Sequence, residues 1–238
     1  MRKTLYLIII GMGILQYAPS LPAAMFTYPL NFEYSGTAPT GTPPWLIAEI
    51  KDVIGDEDRV EITMSTPGLV NTEFVGGWYF NLDFDFADLY YGEDTDPGPD
   101  IFISSSDGTK AESVSYNPNG INAGGSMGHG FDIFFDFPES DSGDNSRFGS
   151  EETVIYQIRA KPGTGLDAED FNVFNVLDNG EAGTFYTAAH VQVINVDDSG
   201  WIAATESISP IPEPGTILLL CTGLAGLLGI RRFNIKKI

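Results

Sequence analysis

Trp78-Tyr79-Phe80-Asn81-Leu82-Asp83-Phe84-Asp85-Phe86 is the stretch on which the fold class turns. Its residues alternate with a period of two, so a strand would carry Trp78, Phe80, Leu82, Phe84 and Phe86 on one face. Trp78 shares its parity with Phe80, Leu82 and Phe84 and is therefore expected in the core. The other face carries Tyr79, Asn81, Asp83 and Asp85, with Tyr90 and Tyr91 following; edge solvation or an aromatic sugar-binding edge would both explain that face. The same period recurs on either side. Phe26, Tyr28, Leu30, Phe32 and Tyr34 alternate, as do Val60, Ile62 and Met64, then Phe131, Ile133, Phe135 and Phe137, then Val154, Tyr156, Ile158 and Ala160. These patterns predict half-buried strands. Shorter runs at Trp45 to Ile50, Ile101 to Ser104, Phe171 to Val176, Phe185 to Val196 and Trp201 to Ala204 bring the expected number to about ten.

Turn chemistry separates the runs, as in Asp96-Pro97-Gly98-Pro99-Asp100 and Ser140 to Ser146. No stretch sustains helical periodicity for three turns; Leu166 to Phe171 supports one turn, capped by Asp167. The expected fold is all-β, an antiparallel β-sandwich of jelly-roll or cohesin-like type. A signal helix is expected before it and a transmembrane helix after it.

Charge narrows the partners. The chain of 238 residues holds 33 acids and 12 lysines and arginines. Residues 25–209 keep all the acids but Glu213 and only six of the bases, a net charge of −26. Such a body repels nucleic acid and anionic membrane surfaces, and leaves divalent cations and neutral or cationic polymers as partners. Its core must form without cross-links, because the one cysteine, Cys221, lies in the C-terminal apolar run. A body of this length buries roughly 70% of its unfolded surface and can do so.

Both ends read as targeting segments. Residues 1–24 have the plan of a signal peptide: Arg2 and Lys3, an apolar stretch from Leu5 to Leu15, and a small-residue exit with cleavage between Ser20 and Met25. At the other end Pro212-Glu213-Pro214 lies in a punctuating segment, 210–215. An apolar run, 216–230, and a basic tail, 231–238, headed by Arg231 and Arg232, follow it. The prolines disfavour helix, which keeps Glu213 in extended chain. As a helix the fifteen apolar residues rise about 22 Å, short of the roughly 30 Å hydrocarbon core, so Arg231 and Arg232 act as a snorkelling membrane stop. The positive-inside rule keeps the tail cytoplasmic and puts residues 25–209 outside.

The order of Pro212-Glu213-Pro214-Gly215, Leu/Gly-rich run and Arg231-Arg232 closely resembles the PEP-CTERM sorting signal of bacteria that make extracellular polysaccharide. The resemblance covers about 28 residues. It implies an exosortase, an integral membrane cysteine transpeptidase-like enzyme, as the processing partner. It also implies residence in the inner membrane before processing, and the cell surface or extracellular matrix afterwards. Gly130-Phe131-Asp132-Ile133, Glu169-Asp170-Phe171, Ala188-Ala189-His190-Val191-Gln192 and Ser199-Gly200-Trp201-Ile202 resemble blocks, in the same order, of an uncharacterised group of PEP-CTERM ectodomains. That second resemblance supports an exported β-domain and brings no activity with it.

Catalytic motifs are few. Gly124-Gly125-Ser126-Met127-Gly128 fits G-x-S-x-G, with His190 downstream, yet a nucleophile elbow needs a strand before the serine and a helix after it. Here Asn117 to Gly130 reads as a Gly/Asn loop feeding a strand. Two histidines, His129 and His190, do not make a zinc site without cysteines; His190 is expected as a hydrogen-bonded structural residue of a strand. Calcium has better candidates in the acidic turns: Asp94, Asp96 and Asp100, and Asp141 and Asp144, with Asp178, Glu181, Asp197 and Asp198 further on. None of these forms an EF-hand loop. The sequence therefore points to a non-enzymatic structural or polysaccharide-associated module. Its competitors are a polysaccharide-modifying hydrolase, which needs two facing carboxylates in a cleft, and a calcium-dependent adhesion module.

Overall fold

The computed structural model describes residues 23–89, 101–106, 108–124, 129–140, 146–177 and 179–209; of 101–106 and 129 only the backbone is considered. The first strand is Met25–Leu30 (β1), which alternates into the core until Asn31. There the chain leaves one sheet for another, and Phe32–Gly36 (β2) pairs elsewhere. The alternation from Phe26 to Tyr34 thus reads as one strand in sequence and is two in space, with Phe32 46% exposed after the switch.

One sheet is built from β1, Leu46–Val53 (β3), Asp56–Ser65 (β4), Ile101–Ser106 (β6) and Thr153–Arg159 (β9), in the order β1-β3-β4-β9-β6. The other contains β2, Phe74–Phe80 (β5), Ser113–Asn122 (β7), His129–Asp136 (β8), Val176–Leu177 (β10), Thr187–Ile194 (β11) and Asp198–Ala204 (β12). Its order is β10-β8-β5-β11-β12-β2, with β7 beside β8. Every pairing is antiparallel.

The two sheets share one apolar core. Tyr28, Ile50, Ile62, Met64 and Tyr156 come from the first, and Trp78, Phe80, Ile133, Phe135, Val191 and Ile202 from the second. The Trp78 indole donates to Thr187 Oγ1 at 2.9 Å, and that hydroxyl donates to the Tyr79 carbonyl at 2.6 Å, so the largest core side chain has its one donor satisfied. In the first sheet the outward residues that alternate with the core positions of β4 and β9 are half-buried and, Ile155 apart, polar, as period-two reading expects.

β5 departs from that rule, because it is buried on both faces. Tyr79, expected on an exposed face, packs in a second apolar cluster with Phe131, Phe185, Ala188 and Ala203, flanked by Tyr34, Phe134 and Trp201. The polypeptide around Ala123 and Gly124 covers this cluster. The Tyr34 hydroxyl donates to the Ala123 carbonyl, and Gly124, at φ +63°, lies so close that a Cβ there would sit 2.1 Å from the Trp201 indole. Only glycine fits that approach.

Two further expectations change. Phe171–Val176 is not a strand: residues Ala168–Phe171 form a 3-10 turn with a capping box at Asp167, and only Val176 and Leu177 pair with β8. The single capped turn expected over 166–171 is there. The Gly/Asn loop is shorter than Asn117 to Gly130, since Ser113–Asn122 is a strand with mostly exposed, polar residues. The chain bracketing Ser126 is thus two antiparallel strands, β7 and β8, so that the next described element after the serine is a strand and not the helix of a nucleophile elbow. Ser126 itself, residues 1–22 of the expected signal segment and the expected helix over 216–230 lie outside the described residues, and among those described no helix is long and apolar enough to cross a membrane.

Candidate binding cleft and sorting segment

The alternation that begins at Trp78 runs to Phe86 in sequence, but the strand stops at Phe80. Side chains take over its backbone partners. Asn81 is 2% exposed, and its Nδ2 donates to the carbonyls of Phe185 at 3.0 Å and Tyr186 at 2.7 Å and, at 3.3 Å, of Val173. The next amide, Leu82 N, donates to Asp132 Oδ2 at 2.8 Å, and Asp83 N donates to the Asp170 carbonyl at 2.8 Å. Asp85 then caps the 3-10 turn Phe86–Asp88 by accepting from Ala87 N at 2.9 Å.

Asp132 is the hinge of this departure. β5 covers β8 from Asp136 back to Ile133, and β10 takes the same edge at Gly130 and His129, leaving Phe131 and Asp132 between them. On the other edge β7 bulges: Tyr116 pairs with Ile133 and Ile121 with Phe131, so residues 117–120 lie opposite Asp132 alone. Pro118 has no amide to offer, and Asn119 sits at φ +53° and donates its amide to Asp132 Oδ1 at 2.6 Å. One carboxylate therefore satisfies donors from both flanking segments. Burial pushes its pKa up; the two amides oppose the shift and Asp83 adds to it.

The gap opens as a cleft of about 490 Å³, within the range of small-ligand pockets. Phe84, Phe86 and Phe174 supply ring surface, and Asp83, Asp85 and Asp132 supply carboxylates. Asp170, joined to Asp83 through the backbone, has its pKa raised chiefly by burial, with Asp167, Asp83 and Glu169 adding to it. Asp83 and Asp85 keep the exposed character expected of them, while Asn81 is buried. Sequence reading missed Asp132, Asn119 and Phe174, because they come from segments 13 to 55 residues away from one another and carry no spacing signal.

His190 lies on β11, as expected, half-buried with its ring stacked on Trp201 at 4.4 Å and 18°. Burial lowers its pKa, and Glu139 opposes the shift. The ring is expected to be hydrogen-bonded; among the described residues its contact is the Trp201 stack. The calcium candidates Asp94, Asp96, Asp100, Asp141 and Asp144 lie outside the described residues, and among those described no group of three histidines, cysteines or acids converges on a point.

The compact unit comprises Ala23–Pro210, and both of its chain ends are tied to the first sheet, the N-terminal end to β3 and the C-terminal end to β1. Ala24 N donates to Asp52 Oδ2 at 2.6 Å. Thr27 N donates to the Ile208 carbonyl at 2.8 Å and Ile208 N to the Thr27 carbonyl at 2.9 Å. Three residues, Ser209 to Ile211, then separate the paired Ile208 from Pro212. Pro212, Glu213, Pro214, Arg231 and Arg232 lie outside the described residues.

Residues 210–232 match the PEP-CTERM protein-sorting motif. The chain thus carries the sorting signal of an exported protein processed by an exosortase, anchored in the membrane before cleavage and delivered to the surface. Comparison with curated proteins and with solved structures gives no match.

Proposed function

We propose that the exported β-domain is a non-enzymatic module that associates with extracellular polysaccharide once the exosortase has removed the tail. The two packed sheets fit a β-sandwich of jelly-roll or cohesin-like type, and such a scaffold holds a binding cleft without moving parts. The observation that carries the reading is the cleft beside β8. Its aromatic walls suit the apolar face of a sugar ring, and its carboxylates suit hydroxyl donors. A binding role, rather than a catalytic one, is supported by how Asp132 is engaged. Each of its oxygens already accepts a backbone amide, so the carboxylate fixes the walls of the cleft. His190 is supported as structural by its stack on Trp201.

The test incubates the surface form recovered from producing cells with the producer's own polysaccharide, scoring retention and chain length together. Retention without shortening is the expected result. Shortening of the polymer would install the hydrolase reading instead, and absence of both would remove the polysaccharide partner.

A further inference from the structure

Charge in the cleft is one-sided. Asp83, Asp85 and Asp132 line it, and among the described residues no lysine or arginine does. The Asp132 carboxylate is 5% exposed and pinned by the Leu82 and Asn119 amides, so it cannot swing out to solvent. A fixed carboxylate in a concave, partly apolar wall attracts a cation more strongly than the same group on an open surface. Phosphate, sulfate and uronate groups are repelled by all three carboxylates. A bare divalent cation would use the carboxylates alone and make no use of the ring surface that Phe84, Phe86 and Phe174, the last 43% exposed, add to the cleft besides packing on the core and on Tyr186. An ammonium group carried on a flat ring uses both sets, through ion pairing and through attraction of the cation and C–H edges to the ring faces.

We propose that this cleft binds a saccharide with a free primary amine, its ammonium facing Asp83, Asp85 and Asp132 and its ring against Phe84, Phe86 and Phe174. The inference rests on the polysaccharide reading and narrows it to one charge class. Neutral sugars lack the group that the three carboxylates would engage, and N-acetylation removes that charge from an amino sugar.

Calorimetric titration of the full chain in detergent compares the glucosamine trimer with its N-acetylated counterpart, a glucose trimer and calcium chloride. Glucosamine trimer should bind about tenfold tighter than either neutral trimer. Asp83→Asn with Asp85→Asn should weaken it about tenfold, and Phe174→Ala about fivefold, with a cooperative melting transition retained in each variant. A charge-matched control, Asp197→Asn with Asp198→Asn, alters exposed residues at the far end of β11 from the cleft and should change affinity less than about twofold. Equal losses in the control pair would mean diffuse attraction to an acidic body and would overturn the proposal. So would equal binding of the acetylated trimer, or calcium binding lost in the Asp83/Asp85 variant with no sugar bound. Neutral trimers that bind and are lost on Phe174→Ala would overturn the amine while leaving the polysaccharide reading intact. Cleft-dependent binding of the glucosamine trimer, with no retention on the producer's polymer, would do the reverse.

Discussion

Asn81 ties three strangers in sequence together. Its Nδ2 faces the carbonyls of Val173, Phe185 and Tyr186, and its backbone is the point where β5 turns out of the sheet. Asn81→Ala takes this donor from the Val173 and Tyr186 carbonyls, while the Phe185 carbonyl keeps the Asn175 amide at 2.9 Å, and should cost about 2 kcal/mol in urea unfolding. Asn81→Asp should cost at least as much, since a carboxylate sets acceptor against acceptor. A loss under about 0.5 kcal/mol in both variants would mean that the strand ends for another reason. At this scale the sequence was legible for the core and not for the cleft. The parity of Trp78, Phe80 and Leu82 is enough to place them inside. Nothing in the spacing of Asp132 shows that a bulge in β7 would bring the Asn119 amide onto its carboxylate.

Among elements, period two identified most strands and misjudged their ends. Alternation records which side chains prefer burial, and it persists where the backbone has left the sheet, as in Asp83 to Phe86. β7 went unread for the opposite reason. Its residues are mostly polar and exposed, with Val114, Tyr116 and Ile121 half-buried, and its pairing to β8 is a matter of backbone hydrogen bonds that side-chain pattern does not encode. The closing element is the single bridge between Thr27 and Ile208, which fastens the chain to the edge of the first sheet just ahead of the sorting motif. Ile208→Pro removes one of its two hydrogen bonds and should cost about 1 kcal/mol. Limited proteolysis should then cut between Thr205 and Ile211 several-fold faster while the rest of the domain stays intact. An unchanged cutting rate there would show that the bridge does not restrain the exit.

The whole molecule is governed by its acidity. Burial raises the pKa values of Asp132, Asp136 and Asp170. Their contribution to stability is complete below the ordinary carboxylate value and is lost as pH rises through the folded values. Asp58 runs the other way, lowered by the amides of Gly165, Gly163 and Thr164. So does Glu61, where hydrogen bonds from Lys51 and Gln157 and the Lys51 charge outweigh burial. Their contributions are present above the ordinary value and lost as pH falls through the folded ones. His190, whose pKa burial lowers, likewise favours higher pH, since its contribution is present above the ordinary imidazole value and lost as pH falls through the folded one. Relief of repulsion across a body of −26 should outweigh that single group, so that the melting temperature is higher near pH 5 than near pH 8 and salt narrows the difference. A melting temperature that rises steadily from pH 5 to pH 8 would contradict this balance.

Sorting is the central claim, and the intact mass of the protein recovered from the surface of producing cells tests it most directly. The mass should lack Thr216 to Ile238, and alanine at Pro212, Glu213 and Pro214 should leave a tailed form in the membrane. A surface protein whose mass still includes Thr216 to Ile238 in the unaltered chain would contradict the account.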